Sequence, residues 1–396
     1  MRVRFPLPAP QNNMNIQKKI IEKIDQENIP FASFAVTNEH ETVLHEHYGN
    51  QLEGEDKPPS NSTIYRIASM TKPIVTFAAL KCVELGLIDL NKPVHNFHSD
   101  LKDLEVGKLQ DGKVIYEKAN KDITLHHLLA HTSGFAYDFH DPLLAHLILE
   151  EKIAPLTDKE GKFINVPLSY HPDSRWEYGV GLDWVGVILE KLLNKNLEEI
   201  CREFVFDPLG MNDTSFDPDF LGKDRLAEMH LMDNGNFIHS TGLFDDSVQS
   251  FFSGGGGILS NPSDYCKFMR IFLSDTNPLL SDSLTSLMTT NQIGDLNYSY
   301  QPTFNPVLIH GNEWFPEIKK KWGYGFLINE EDIPERRKKG SLSWSGIFNT
   351  YFWIDPQSKI AGTVMMQLSP HYDEKCKGLL EVMEKAVYEE MKLIFE

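Results

Sequence analysis

The stretch Arg66-Ile67-Ala68-Ser69-Met70-Thr71-Lys72-Pro73 sets a serine and a lysine three residues apart, at the head of a strongly apolar run over 74–85. The run ends at Gly86, a helix stop, and Pro73 falls in the first turn, where its missing N–H costs nothing. The spacing predicts a helix in which positions i and i+3 share a face, so that the Lys72 ammonium reaches the Ser69 hydroxyl. A serine hydroxyl is a poor nucleophile until a neighbouring group takes its proton. Ser-x-x-Lys alone carries little, because roughly one or two chance matches are expected in a chain this long. A second match does occur, Ser99-Asp100-Leu101-Lys102. Ser69 is therefore either a nucleophile or a helix cap, and the remainder of the chain has to decide between them.

With 396 residues there is room for two domains, or for one large domain with insertions. Lys and Arg number 38 against 57 Asp and Glu, a formal net charge of −19. That balance opposes binding to nucleic acid or to an anionic membrane. The short run Arg336-Arg337-Lys338-Lys339 reads as a solvated loop. Four cysteines (Cys82, Cys201, Cys266, Cys376) lie far apart with no Cys-x-x-Cys pair, and the first three fall in apolar helical patterns as buried thiols. That usage suits a reducing compartment. Residues 1–13 hold two arginines but no apolar core of signal-peptide length, and no later stretch could span a bilayer, so the expected location is the cytoplasm. Met14 offers an alternative start, with the Pro-rich segment before it added or disordered.

Apolar residues at Ile16, Ile20, Ile21 and Ile24 predict an amphipathic helix over 15–27, followed by two strands over 31–38 and 41–48 joined by a tight turn. Residues 51–63 read as a loop and 89–123 as connections, with a hairpin around Asp111-Gly112. A short helix over 124–131 closes at Thr132-Ser133-Gly134; 135–172 shows little periodicity, as segments that shape a substrate entrance often do. Helices follow over 182–193 and 197–204, then a turn at Asp207-Pro208-Leu209-Gly210. A further helix over 262–273 has Asn261 as its cap. From Trp322 onward the texture is aromatic and β-branched, with strands predicted over 324–329, 340–344, 350–354 and 360–368 before a closing helix over 377–394. Strands at both ends and helices between them predict an α+β fold: an antiparallel sheet built from both termini and flanked by helices, with an inserted, mainly helical domain. The expected division is 14–75 plus 320–396 for the sheet domain and 76–319 for the helical one, with the cleft between them.

If Ser69 is a nucleophile, a second proton-handling group is needed. Trp176-Glu177-Tyr178-Gly179-Val180-Gly181 places Tyr178 in a Gly-flanked turn before a helix, where nearby cations could lower its pKa. A tyrosine in a turn is more often packing than catalysis. A third need is an oxyanion site made of backbone N–H groups. Gly340-Ser341-Leu342-Ser343-Trp344-Ser345-Gly346-Ile347 is a strand ending in small residues, and Gly346 would let its backbone approach the mouth of the Ser69 helix.

Six blocks, in this order, resemble the penicillin-recognising serine hydrolases: class C β-lactamases, DD-peptidases and family VIII carboxylesterases. They are 67–73 around Ser69 and Lys72, Leu128-Leu129-Ala130-His131-Thr132-Ser133-Gly134, the Tyr178 turn with Asp183-Trp184-Val185-Gly186, Pro208-Leu209-Gly210-Met211-Asn212-Asp213-Thr214, Gly254-Gly255-Gly256-Gly257-Ile258-Leu259-Ser260, and Trp344-Ser345-Gly346. The resemblance runs from about residue 16 to 392. It implies a β-lactamase/transpeptidase-like fold and an acyl-enzyme on Ser69, with Lys72 and Tyr178 sharing the general-base work. It also implies an oxyanion hole from the N–H groups of Ser69 and Ile347, a substrate wall of Trp176, Trp344, Ser345 and Gly346, and no cofactor or metal.

Two departures bear on the substrate. Val180 stands where the tyrosine motif ends in asparagine, and the neutral Trp344 stands where a Lys-Thr-Gly strand places a lysine for the substrate carboxylate. Losing a desolvated cation–carboxylate contact of roughly 1.5–3 kcal/mol weakens penicillins and D-Ala-D-Ala peptides about tenfold or more. An aromatic wall suits an uncharged ester or amide, so esterase is preferred to β-lactamase, DD-peptidase or D-amino-acid peptidase. A catalytically silent binding protein is the alternative of another class. Bland readings stand for the remaining features. His127 and His131, at i and i+4, have no third ligand to make a metal site, and the four glycines have no Gly-Lys-Ser/Thr after them to make a phosphate loop. Asp183 serves as a helix cap. No Gly-x-Ser-x-Gly elbow occurs.

Overall fold

A computed structural model describes residues 10–241 and 250–395. Its main sheet has seven strands, all antiparallel, in the order Thr42–Gly49, Phe31–Asn38, Ile360–Met365, Thr350–Asp355, Leu342–Gly346, Leu327–Asn329, Lys320–Trp322. The N-terminal hairpin thus joins C-terminal strands through the pairing of Phe31–Asn38 with Ile360–Met365. Phe31–Asn38, Thr350–Asp355 and Ile360–Met365 are buried almost throughout, because each is covered on both faces. One cover is the pair of terminal helices Pro10–Glu27 and Glu374–Phe395, which pack on each other. Another is the Pro262–Arg270 helix, against Phe31–Asn38 and Ile360–Met365.

Strand limits differ from the sequence reading where the chain turns early. The aromatic run near Trp322 makes two short strands, Lys320–Trp322 and Leu327–Asn329, rather than one over 324–329. The last sheet strand stops at Met365, and Leu368–Ser369 leaves it to pair in parallel with His230–Asp233. The segment 135–172 does hold a helix, Pro142–Leu149, with Asp141 as its side-chain cap. Residues 10–13 belong to the first helix, and the rest of the proposed N-terminal addition, 1–9, lies outside the described residues. The 111–112 hairpin is present as Glu105–Gln110 and Lys113–Lys118. No helix among the described residues is long and apolar enough to cross a membrane.

The Thr71–Glu84 helix is buried on nearly every side, in keeping with its mostly apolar composition. Three ties fix its first turn. Thr71 Oγ1 accepts from the Ile258 N–H at 3.0 Å, Tyr265 donates to the Met70 carbonyl at 3.1 Å, and Tyr65–Arg66 pairs with Leu259–Ser260.

The basic run at 336–339 needs correcting. Arg337 is 1% exposed and donates to both carboxylate oxygens of Glu384 at 2.7 Å, while Arg336 reaches Glu381 at 2.5 Å. The run reads as solvated because its partners sit on a helix nearly fifty residues away in sequence. Glu384 is fully buried, and the neighbouring guanidinium holds its carboxyl below the usual range despite that burial. Arg337→Ala would leave this carboxylate buried with one partner fewer. We expect a loss of about 3–5 kcal/mol, measured as a lower urea midpoint. A change within about 0.5 kcal/mol, the effect of a surface substitution, would contradict this packing.

Candidate active site

Ser69 lies in a 3₁₀ turn, Ala68–Met70, that runs into the Thr71–Glu84 helix. Ala68, just before it, has φ = +45°, a left-handed conformation that costs an alanine about 1–2 kcal/mol. Met70 is the helix cap position and makes no side-chain cap bond, so Ser69 is not serving as the cap. Ser69 is half-buried and Lys72 wholly buried.

Lys72 Nζ has three polar neighbours: Ser69 Oγ at 3.1 Å, the Tyr137 hydroxyl at 3.1 Å and the Gly255 carbonyl at 2.7 Å. A neutral amine has two N–H donors and one lone pair. With the donors on Gly255 and Tyr137, the lone pair faces the Ser69 hydroxyl. Burial pushes the Lys72 pKa down to about 7, and the Asp183 carboxylate works against that shift. Tyr137 links the two, receiving from Lys72 and donating to Asp183 Oδ2 at 3.3 Å. Asp183 also accepts from Ser253 and from the Gly255 N–H at 3.0 Å, so it orients the loop whose carbonyl holds Lys72. This loop must be glycine: a Cβ on Gly255 would lie 2.3 Å from Asp183 Oδ2 and 2.8 Å from the Tyr137 hydroxyl.

Tyr178 joins the cluster from the turn before the Gly181–Leu193 helix. Its hydroxyl accepts from Trp344 Nε1 at 3.2 Å, the residue borders the same recess as Ser69, and Lys72 Nζ sits 4.5 Å from its ring centroid. The sequence reading expected nearby cations to lower this phenol's pKa. Instead burial raises it, outweighing the lowering effect of Ser69 and Trp344. Burial therefore favours the neutral phenol at Tyr178 and, at Lys72, the unprotonated amine.

The Leu342–Gly346 strand packs on the nucleophile turn. A Cβ on Gly346 would meet the Ile67 carbonyl oxygen at 2.2 Å, so only glycine allows the approach. Trp344 is an aromatic wall whose ring lies 4.9 Å from that of Tyr178 and 4.7 Å from that of Trp322. Trp176 sits farther back, among His131, Tyr298 and Trp322. Ser345 Oγ is 3.0 Å from His371 Nε2. Ser69, Phe139 and Ile347 border two openings at once: a cleft of about 400 Å³ and a recess of about 20 Å³.

His131 leaves the helix with φ = +56°, so it does not share a helical face with His127. His127 is engaged by Thr124 and by Asp173 at 3.0 Å. Ser99 and Lys102 are exposed. Tyr137, Asp183 as an electrostatic partner, and His371 were not found by sequence reasoning. Asp183 stood inside a quoted block, whereas Tyr137 and His371 lie in stretches without pattern and are brought in by long-range packing.

A family model described as Beta-lactamase matches residues 16–383. The chain is 30% identical over 350 residues to the ML-236A carboxylate methylbutanoyltransferase of Penicillium citrinum, covering 85% of this chain and 83% of that one. It is 30% identical over 334 residues to the lovastatin esterase of Penicillium rubens, covering 80% of this chain and 82% of that one. Among solved structures, a mutant simvastatin synthase of Aspergillus terreus superposes with a TM-score of 0.81 at 25% identity, covering 97% of this chain and 98% of that one.

A general-base amine must be unprotonated, so labelling of Ser69 by a fluorophosphonate should rise with pH through about 7. Asp183→Asn removes the charge that favours the ammonium and should move this midpoint to lower pH. A midpoint that stays put or rises in the variant would show that Asp183 does not act on Lys72.

Proposed function

The chain belongs to the β-lactamase family of serine hydrolases and is an enzyme, and from that premise we propose that it cleaves small to medium acyl esters through an acyl-enzyme on Ser69. The observation that carries this reading is the buried amine of Lys72, whose Nζ lies 3.1 Å from Ser69 Oγ, 3.1 Å from the Tyr137 hydroxyl and 2.7 Å from the Gly255 carbonyl. Lys72 takes the Ser69 proton as Oγ bonds to the substrate carbonyl carbon. The N–H groups of Ser69 and Ile347 stabilise the developing oxyanion; in support, both residues border both openings, and the positive end of the Thr71–Glu84 helix points the same way. The proton then passes through the neutral phenol of Tyr178 to the departing alkoxide, the carbon–oxygen bond breaks, and the acyl group remains on Ser69.

Trp344 argues for an uncharged substrate. It presents an indole where a β-lactam or peptide carboxylate would need a cation, and its N–H is committed to Tyr178. The cleft of about 400 Å³ is lined by Phe139, Phe163, Phe216, Phe251, Phe252 and Phe348, which suit an apolar acyl or alcohol group, with Arg66, Asp158 and Lys159 also on its border. Relatives named for methylbutanoyl transfer and for ester cleavage support both outcomes for the acyl-enzyme, transfer to an alcohol or to water. In this reading the substrate is a small molecule.

A panel of p-nitrophenyl esters, with intact-mass detection of the adduct, tests the proposal. The expected result is turnover with one acyl group on Ser69, and a loss of about a thousandfold or more in Ser69→Ala. Full activity in Ser69→Ala, or a label on another residue, would overturn the mechanism. Faster turnover of nitrocefin than of the esters would overturn the substrate class.

A further inference from the structure

The two openings at Ser69 differ in size and chemistry. The larger is walled by six phenylalanines with Arg66, Asp158 and Lys159 on its border, whereas the recess of about 20 Å³ carries the hydroxyls of Tyr178, Ser345 and Tyr372 and the side chains of His140, Gln301 and His371. Ser345 Oγ is 3.0 Å from His371 Nε2 and 3.4 Å from the Tyr372 hydroxyl. The His371 backbone is fixed on both sides: its N–H donates to Leu308 and its carbonyl accepts from His310. Its ring lies against those of Tyr351 and Tyr372, and burial holds it neutral.

Two side chains of this wall, His371 and Gln301, are each 3% exposed, and their Nδ1 and Oε1 atoms have no partner among the described residues. Buried polar atoms are seldom left unpaired, and each needs a specific reason. The hydroxyls of Tyr178, Ser345 and Tyr372 border the same recess and offer a guest both donors and acceptors. No Asp, Glu, Lys or Arg lines the recess, so an ion is not indicated. Size settles the rest. A water needs about 10–15 Å³ of such space, so about 20 Å³ holds one water and not an alcohol with a carbon chain.

We propose that this recess seats the water that hydrolyses the acyl-enzyme, with Ser345 and His371 as its positioning residues; the inference rests on the acyl-enzyme reading above. The water oxygen bonds to the acyl carbon, and its proton passes through Tyr178 to Lys72. The tetrahedral intermediate then collapses: the bond from carbon to Ser69 Oγ breaks, Lys72 returns the proton to Oγ, and the carboxylic acid leaves. Ser345, oriented by His371, aligns the water for attack. An alcohol acceptor approaches from the phenylalanine-lined cleft, so the two openings divide hydrolysis from transfer.

The experiment uses p-nitrophenyl butyrate with and without 1-butanol. Pre-steady-state release of p-nitrophenol reads acylation, steady-state release reads deacylation, and chromatography reads butyric acid against butyl butyrate. In Ser345→Ala, deacylation should fall at least tenfold more than acylation, acyl-Ser69 should accumulate, and the butyl ester share should rise; Ser345→Thr should restore the acid. Equal loss in both steps, or an unchanged product ratio, overturns the water site. If Ser345→Ala does not fold, Gln301→Leu removes another wall group and is read by the same ratio. If the wild type forms no acyl-Ser69 adduct, the acyl-enzyme reading fails and takes this one with it. An adduct with an unchanged product ratio sinks the water site alone.

Discussion

An amine with no access to water governs this site. Lys72 keeps its place because the Gly255 carbonyl and the Tyr137 hydroxyl satisfy its two donors, and desolvation brings its pKa near neutrality. Every nearby element serves that arrangement. The glycine loop approaches because Gly255 lacks a Cβ, Asp183 holds the loop and tempers the shift, and the helix carrying Lys72 is buried on nearly all sides. A lysine left in water would be an ammonium at neutral pH and could not take the serine proton.

The sheet contributes through one close contact. Gly346 brings the Leu342–Gly346 strand onto the Ile67 carbonyl, which places Trp344 beside Tyr178 and Ile347 beside Ser69. The strand can press there because its neighbours on either side are locked into a seven-stranded sheet drawn from both ends of the chain. Trp344 carries no charge, and its indole N–H donates to the Tyr178 oxygen.

Much of this was legible in the sequence, and the reason is distance along the chain. Ser69 and Lys72 are local partners on one helical turn, so their spacing shows directly. Tyr178 and the Trp344 strand stood out as a Gly-flanked turn and a strand ending in small residues, and the ordered blocks of a family pattern gave them roles. Tyr137 sits 65 residues from Lys72, and His371 sits 26 from Ser345; neither falls in a periodic segment, and only packing brings them in. The direction of the Tyr178 pKa shift was hidden for the same reason, since burial is not written in the turn that carries it. Arg337 shows the reverse error: a run of four cations looks solvated until the buried Glu384 is seen beneath it.

The central claim is that Lys72 is a neutral base at physiological pH, and its titration can be observed directly. With lysines labelled with ¹³C at Cε, the Lys72 resonance, assigned by its loss in Lys72→Arg, should titrate with a midpoint near pH 7. A midpoint near about 10.4, the value of an ordinary lysine, would mean that the amine is an ammonium in the resting site. In that case it could not be the group that takes the proton from Ser69.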